Sequence, residues 1–156
     1  MKELKEGDKA PNFILPSSSG KDLSLSDLAG KRVVLYFYPK DMTPGCTAEA
    51  QNFRDLYGKF KKAGAVVFGV SPDSIKSHLK FIEKESLSFE LLSDEDHSVL
   101  EAYGVWKEKS MYGRKYMGVE RSTFIINENG VIDKIYRKIS VSGHAEDMLK
   151  VCSASY

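Results

Sequence analysis

Residues 32–39, RVVLYFYP, form a continuous apolar run ended by proline. A strand without polar alternation is one covered on both faces. Such a strand needs other elements above and below it, so this segment directs the chain toward a layered α/β domain. A second run of the same kind, AVVFGVS at 65–71, lies one helix length further on. Between them, TPGCTAEAQNFRDLYGKFKKAG carries helix punctuation: Thr43 as N-cap, Pro44 at the first helical position and Gly64 at the far end. Cys46, Ala50, Phe53, Tyr57 and Phe60 share one helical face, whereas Glu49, Asn52, Arg54, Asp55 and Lys59 fall mostly on the others.

The remaining segments extend the pattern. DSIKSHLKFIEKES reads as an amphipathic helix with Ile75, Leu79 and Ile82 inward. A short strand around Phe89 to Leu92 and a helix from about His97 to Tyr103, stopped at Gly104, follow. Residues 105–120 read as a long aromatic-rich loop, of a length more often functional than idle. STFIINENGVIDKIYR is a hairpin turning at Asn129-Gly130, and SGHAEDMLKVC is a last helix capped by Ser142, with Ala145, Met148, Leu149 and Cys152 on one stripe. The expected fold is one α/β domain over residues 1–156, with a mixed central sheet and helices on both faces.

Charge narrows the function. The 23 basic and 22 acidic residues leave a formal net charge of +1, without the basic excess of a nucleic-acid or membrane-surface protein. No stretch has the length of a transmembrane span, and the charged start MKELKEGDKAPNF has no apolar signal core. Two cysteines are too few for a disulfide scaffold, so a reducing cytoplasmic setting is the expectation. His78, His97 and His144 pair with neither cysteine at ligand spacing, and the acids of SDEDH (93–97) suit a helix start, so no metal and no cofactor is expected.

The thiol of Cys46 stands out. With Thr43 as N-cap, Cys46 is the third helical residue, among backbone N–H groups that have no helical partner. These donors and the helix dipole favour thiolate, the nucleophilic form. Gly45 allows close approach to the backbone, and the strand just before the turn puts the thiol at the carboxyl end of the sheet, where α/β folds bind ligands. The competing reading is a small buried hydrophobe.

Residues 39–46, PKDMTPGC, match the peroxiredoxin signature Pro-x-x-x-Thr-x-x-Cys. YFYPKDMTPGCTAEA, GVERSTFIINENGVI and the opening GDKAPNFILPSSSGKDLSLSDLAGKRVVLYFYP resemble the bacterioferritin comigratory protein, or Q-type, subfamily. The resemblance spans nearly the whole chain. It implies a thioredoxin-like fold and a thiol peroxidase that reduces hydrogen peroxide and organic hydroperoxides. It also implies site roles. Cys46 would attack the terminal peroxide oxygen to give a sulfenic acid. Thr43 would hydrogen-bond thiolate and peroxide, Pro39 would shield the site from water, and Arg121 would stabilise the thiolate and orient the peroxide. Glu49 either holds that arginine or is an exposed first-turn acid. Thr43 has one hydroxyl for two tasks, capping and substrate contact.

The chain departs from the subfamily at position 51. Many members carry a resolving cysteine five residues after the first, where this chain has Gln51, and others carry it in the next helix, where HLKFIEKE has none. Residues i and i+5 of a helix differ by about 140° and roughly 7.5 Å of rise, so a disulfide there would require unwinding. Cys152 is the remaining candidate resolver, within a chain or across a dimer; its place on an apolar stripe favours a buried structural cysteine. The expected cycle uses one cysteine, with thioredoxin, glutaredoxin or a small thiol attacking the sulfenic acid. The chain is expected to act as a monomer or dimer. The rival reading is a non-catalytic thioredoxin-like binding module. The pairing of Pro39, Thr43, Cys46 and Arg121 argues against it. Trp106, Tyr112 and Tyr116 would line the peroxide entrance or a partner surface, or pack in the core.

Overall fold

The computed structural model describes residues 3–154. Its central sheet is built from β3 (Arg32–Phe37), β4 (Ala65–Ser71), β5 (Glu90–Ser93), β8 (Ser122–Ile126) and β9 (Ile132–Tyr136), in the order β5-β4-β3-β8-β9. The β5, β4 and β3 strands are parallel, and β8 and β9 join antiparallel. Two short strands near the N-terminus, β1 (Ile14–Pro16) and β2 (Asp22–Ser24), form a separate ladder.

The unbroken apolar run has the predicted cause. Val33, Leu35 and Phe37 enter one core with Val99, Leu100 and Tyr103, whereas Val34, Tyr36 and Tyr38 enter another with Phe53, Phe81 and Met148. The first core lies under α3 (Ser98–Ala102) and the N-terminal segment. The second lies under α1 (Pro44–Lys62), α2 (Ile75–Glu85) and α4 (His144–Ala154). Tyr36 stacks on Phe53 at 4.7 Å, and its ring occupies the space over Gly69, where an added Cβ would lie 2.8 Å from Tyr36 Cζ. A side chain at 69 would therefore displace the central strand's own aromatic.

Four expectations change. Residues 105–120 are not a loop but a hairpin, β6 (Trp106–Met111) paired with β7 (Arg114–Val119). Tyr112 and Gly113 both have positive φ, 52° and 78°, as a two-residue type I′ turn requires. Both strands are largely solvent-exposed, so they lack the apolar alternation that announces a strand. Tyr112 is 99% exposed and so packs in no core, while Trp106 stacks on His97 at 3.9 Å. In α2 Ile82 packs against the second core as expected, but the fully buried residues are His78 and Phe81 and Leu79 is exposed, because a polar cluster under His78 sets the rotation of the helix. In α1 Glu49 is buried with Cys46 and Ala50. Finally, α4 begins at His144, with Asp147 N bonding the carbonyl of Gly143 rather than a Ser142 cap.

The predicted turn at Asn129-Gly130 is present in a particular form. Gly130 N bonds Asn127 O, Asn127 N bonds Val131 O, and only Gly130 of the pair has positive φ, so a type I turn is followed by a glycine bulge. The acids of SDEDH sit at the start of α3 as expected: Asp94 Oδ2 accepts from Leu100 N and Asp96 Oδ1 from Ser98 N. No helix among the described residues is long and apolar enough to cross a membrane.

Candidate active site

The topology assembles the site. Parallel β3 delivers its carboxyl end to the loop 38–43 and then α1, while antiparallel β8 pairs Ser122 with Phe37. Arg121, the residue before β8, therefore arrives at the end of the sheet where α1 begins. Its guanidinium bridges two α1 residues: Nη2 donates to Cys46 Sγ at 3.3 Å and Nη1 to Glu49 Oε1 at 2.5 Å. Gly45 faces the guanidinium, and a Cβ there would stand 3.4 Å from Nη2, at contact distance.

Cys46 is 2% exposed and Glu49 1%. Burial pushes the Glu49 carboxyl up to about 7, against the opposing pull of Arg121. For Arg121, burial works against the charge, but Glu49 and Cys46 together outweigh it and raise its pKa. Glu49 Oε2 and the Tyr36 hydroxyl, both buried, have no hydrogen-bond partner among the described residues. Lys109 on β6 is a further cation in the field. Burial and Arg121 lower its pKa, and Cys46 and Glu120 oppose the shift. The loop reading of 105–120 concealed this residue, because only the strand pairing turns it toward the site.

Glu49 makes stability depend on pH. Its folded pKa is raised from 4.5 to about 7, so the folded state holds the proton more tightly than the unfolded chain. The contribution is fully present below pH 4.5 and is lost as pH rises through about 7. Glu49→Gln should therefore abolish a loss of about 3 kcal/mol across that window. Urea unfolding of both proteins at pH 5 and pH 8 measures it, and parallel pH profiles would contradict the assignment.

The other predicted residues divide. Thr43 is the residue flanking α1, but its side chain does not cap the helix; Oγ1 donates instead to Lys40 O at 2.9 Å. Its proton is thus committed to the loop, and the two oxygen lone pairs are left to accept. Pro39 is half-buried at the start of that loop. Cys152 is not brought to the site. It is fully buried, and burial pushes its thiol up to about 11, with Arg32 opposing. Arg32 begins β3, and the neighbouring Ser153 lines a cavity with Lys59, Lys62 and Ala63 at the far end of α1. Cys46 and Cys152 are therefore separated by more than about 15 Å. Gln51 is engaged: Nε2 donates to Glu85 Oε1 at 2.7 Å, and Arg54 Nη1 donates to the Glu85 carbonyl at 2.6 Å.

His144 had no assigned place in the sequence reading. It is buried at the start of α4, with Nε2 2.8 Å from Thr123 Oγ1 and its ring edge-on to Phe53. Burial lowers its pKa to about 4, with Arg121 adding and Asp147 opposing, so the ring is neutral at pH 7.

A mixed sheet whose central strand feeds a helix start, with a thiol there under an arginine, defines a thioredoxin-like thiol enzyme. The comparisons specify which. Residues 6–135 match the AhpC/TSA family. Peroxiredoxin Bcp of Bacillus subtilis is 51% identical over 144 residues, covering 92% of each chain. Peroxiredoxin Bcp of Escherichia coli K12 is 47% identical over 149 residues, covering 96% of each. A Xanthomonas campestris bacterioferritin comigratory protein structure, described in terms of alkyl peroxide reduction, superimposes with a TM-score of 0.88 at 44% identity, covering 92% of this chain and 91% of that one. The chain belongs to the AhpC/TSA family, among its Bcp/PrxQ peroxiredoxins, and is a thiol-dependent peroxidase.

Proposed function

We propose that Cys46 is the peroxidatic thiol and that it turns over in a one-cysteine cycle. The observation that carries this reading is the guanidinium of Arg121 held between Cys46 Sγ and Glu49. A negative sulfur against that cation attacks the terminal oxygen of a hydroperoxide. The S–O bond forms as the O–O bond breaks, leaving Cys46 sulfenic acid and an alkoxide or hydroxide that takes a proton from water. Negative charge develops on the departing oxygen, where Arg121 and the free N–H groups of the first turn of α1 stabilise it. Thr43, whose hydrogen points to Lys40 O, accepts a hydrogen bond from the peroxide O–H. Half-buried Pro39 shields the sulfur from water.

Regeneration then falls to an external thiol, from thioredoxin, glutaredoxin or a small molecule. It attacks the sulfenic sulfur, expels water and leaves a mixed disulfide that a second thiol opens. Three features support this. Position 51 holds no thiol, Cys152 is remote and protonated, and the ties of Gln51 and Arg54 to Glu85 keep α1 against α2 without any need to unwind. Distance disfavours Cys152 as a resolver within the chain.

One equivalent of peroxide followed by intact mass under non-reducing conditions tests the cycle. A gain of one oxygen, trapped by a sulfenate-specific reagent at Cys46, is expected. Loss of two hydrogens would instead report a disulfide between Cys46 and Cys152, and a doubled mass that Cys152→Ser abolishes a disulfide through Cys152 between chains. In steady state, Cys152→Ser should keep wild-type turnover with an external thiol; a variant that is oxidised once and never recycled would overturn the one-cysteine cycle.

A further inference from the structure

Beneath the 38–43 loop lies a cluster of polar groups that the reaction as described does not use. Asp41, at the middle of the loop, is 4% exposed, and His78 on α2 is fully buried. The Asp41 backbone N donates to Asp73 Oδ2 at 2.8 Å. Its carboxylate receives Tyr38 OH at 2.5 Å on Oδ1 and Ser77 Oγ at 2.8 Å on Oδ2, where it also meets His78 Nδ1 at 2.7 Å. The other ring nitrogen, His78 Nε2, faces the Leu92 carbonyl at 2.9 Å. A carbonyl only accepts, so Nε2 carries a hydrogen. At 2.7 Å a hydrogen lies between Nδ1 and Oδ2, and the hydroxyls of Tyr38 and Ser77 donate to the same carboxyl group. The arrangement is a closed, buried His–Asp hydrogen-bonded pair.

One atom each from Asp41, Asp73 and His78 lies within 4.8 Å of the others, a spacing that a metal ion would accept. Here those atoms are occupied: Ser71 Oγ and Asp41 N donate to Asp73 Oδ2, and Ser77 and His78 to Asp41 Oδ2. A cation would have to displace all of these donors. The cluster is complete as a hydrogen-bonded pin.

Burying a polar pair is a poor route to stability, because desolvation offsets the attraction. Its geometry suggests what it is for. The next residue, Met42, has φ of +64°, an unfavourable conformation for a methionine, which persists only where neighbours enforce it. Thr43 then closes onto Lys40 O, and Pro44 opens α1 two residues before Cys46. With backbone and side chain of Asp41 both held, the direction of this turn is set. We propose that the Asp41–His78 pair is a positioning device for the peroxidase reaction, anchoring the loop to α2 so that Thr43 and the first turn of α1 present Cys46 to the peroxide. This rests on the reading of Cys46 as the attacking thiol.

Three variants and one spectrum test it. His78→Leu leaves the Asp41 carboxyl without its buried partner and should slow single-turnover oxidation of the reduced protein by hydrogen peroxide about 10- to 100-fold, in keeping with the cost of a small misplacement of reacting groups. Asp41→Asn keeps the shape, accepting from Tyr38 and donating to His78 Nδ1, and should retain the wild-type rate within about threefold. The double variant Asp41→Ala with His78→Leu removes both partners. Its melting temperature should recover relative to His78→Leu while its oxidation rate stays low, a split that a purely structural pair would not produce. Proton NMR of the wild type at pH 7.5 should show a slowly exchanging, downfield hydrogen in the His78 Nδ1–Asp41 Oδ2 bond. Absence of that hydrogen, a double variant whose rate recovers with its stability, or Asp41→Asn as slow as His78→Leu would each overturn the proposal. Failure of the Cys46 reading is recognised separately, because the intact-mass experiment on the wild type would then show no oxygen at Cys46.

Discussion

Cys46→Ser is expected to consume no peroxide above the uncatalysed background, with its fold intact. The substitution removes one polarisable sulfur from a helix start and leaves a hydroxyl of similar shape, so unfolding should change little. A serine hydroxyl stays protonated near neutral pH and is a far weaker nucleophile than a thiolate. His144, whose ring lies in the field of Arg121, has its Nε2 engaged with Thr123. Cys152 cannot substitute, because it is fully buried and its thiol is pushed up to about 11. Peroxide loss, followed with an excess of small thiol, decides the matter. Consumption at the wild-type rate would remove Cys46 from the chemistry and revive the non-catalytic reading of its helix start.

Arg121→Gln should lower the second-order rate constant for peroxide about 10²- to 10³-fold, the usual cost of losing one donor aimed at developing negative charge. The effect has two parts. The cation 3.3 Å from the sulfur is gone, and Glu49 Oε1 loses the partner that held it at 2.5 Å. Without the opposing pull of Arg121 the Glu49 carboxyl is pushed higher still and keeps its proton, so the variant should also lose about 1–3 kcal/mol of stability above pH 7, where the wild-type carboxylate had the guanidinium as its partner. Arg121→Lys should recover only part of the rate, because an ammonium is a point charge and cannot span both partners as a planar guanidinium does. Stopped-flow oxidation at pH 6 and pH 8 separates the parts. A variant that oxidises like the wild type at both values would show that Arg121 only supports Glu49.

Much of the architecture was legible because burial leaves a mark on composition. The runs at 32–39 and 65–71 had to be strands covered on both faces, and the TPGC turn had to start a helix, since Pro44 and Gly64 tolerate few alternatives there. The hairpin at 106–119 left no such mark. Its strands lie mostly in solvent, so their side chains obey no apolar alternation, and its turn depends on positive φ at Tyr112, a residue type that seldom signals it. The phase of α2 was misjudged for a related reason: His78 takes an inward position that hydrophobic periodicity assigned to Leu79.

Cys46, Thr43, Pro39 and Arg121 could be nominated from local motifs, since a helix start and a recognisable string are properties of neighbours along the chain. Which of them touch was settled by pairing across the sheet. Antiparallel register brings Arg121 to the end of β3, and one helical turn brings Glu49 beneath it. The same folding directs the Thr43 hydroxyl into the loop rather than to the helix, and carries Cys152 to the opposite end of α1 from Cys46. Local sequence thus marked the buried strands, the absence of a thiol at 51 and the helix start that carries the Cys46 thiol, because these depend on residue type and short-range geometry. Only tertiary structure decided the partners of that thiol, because contacts between residues 75 positions apart, such as Cys46 and Arg121, follow from sheet order and register.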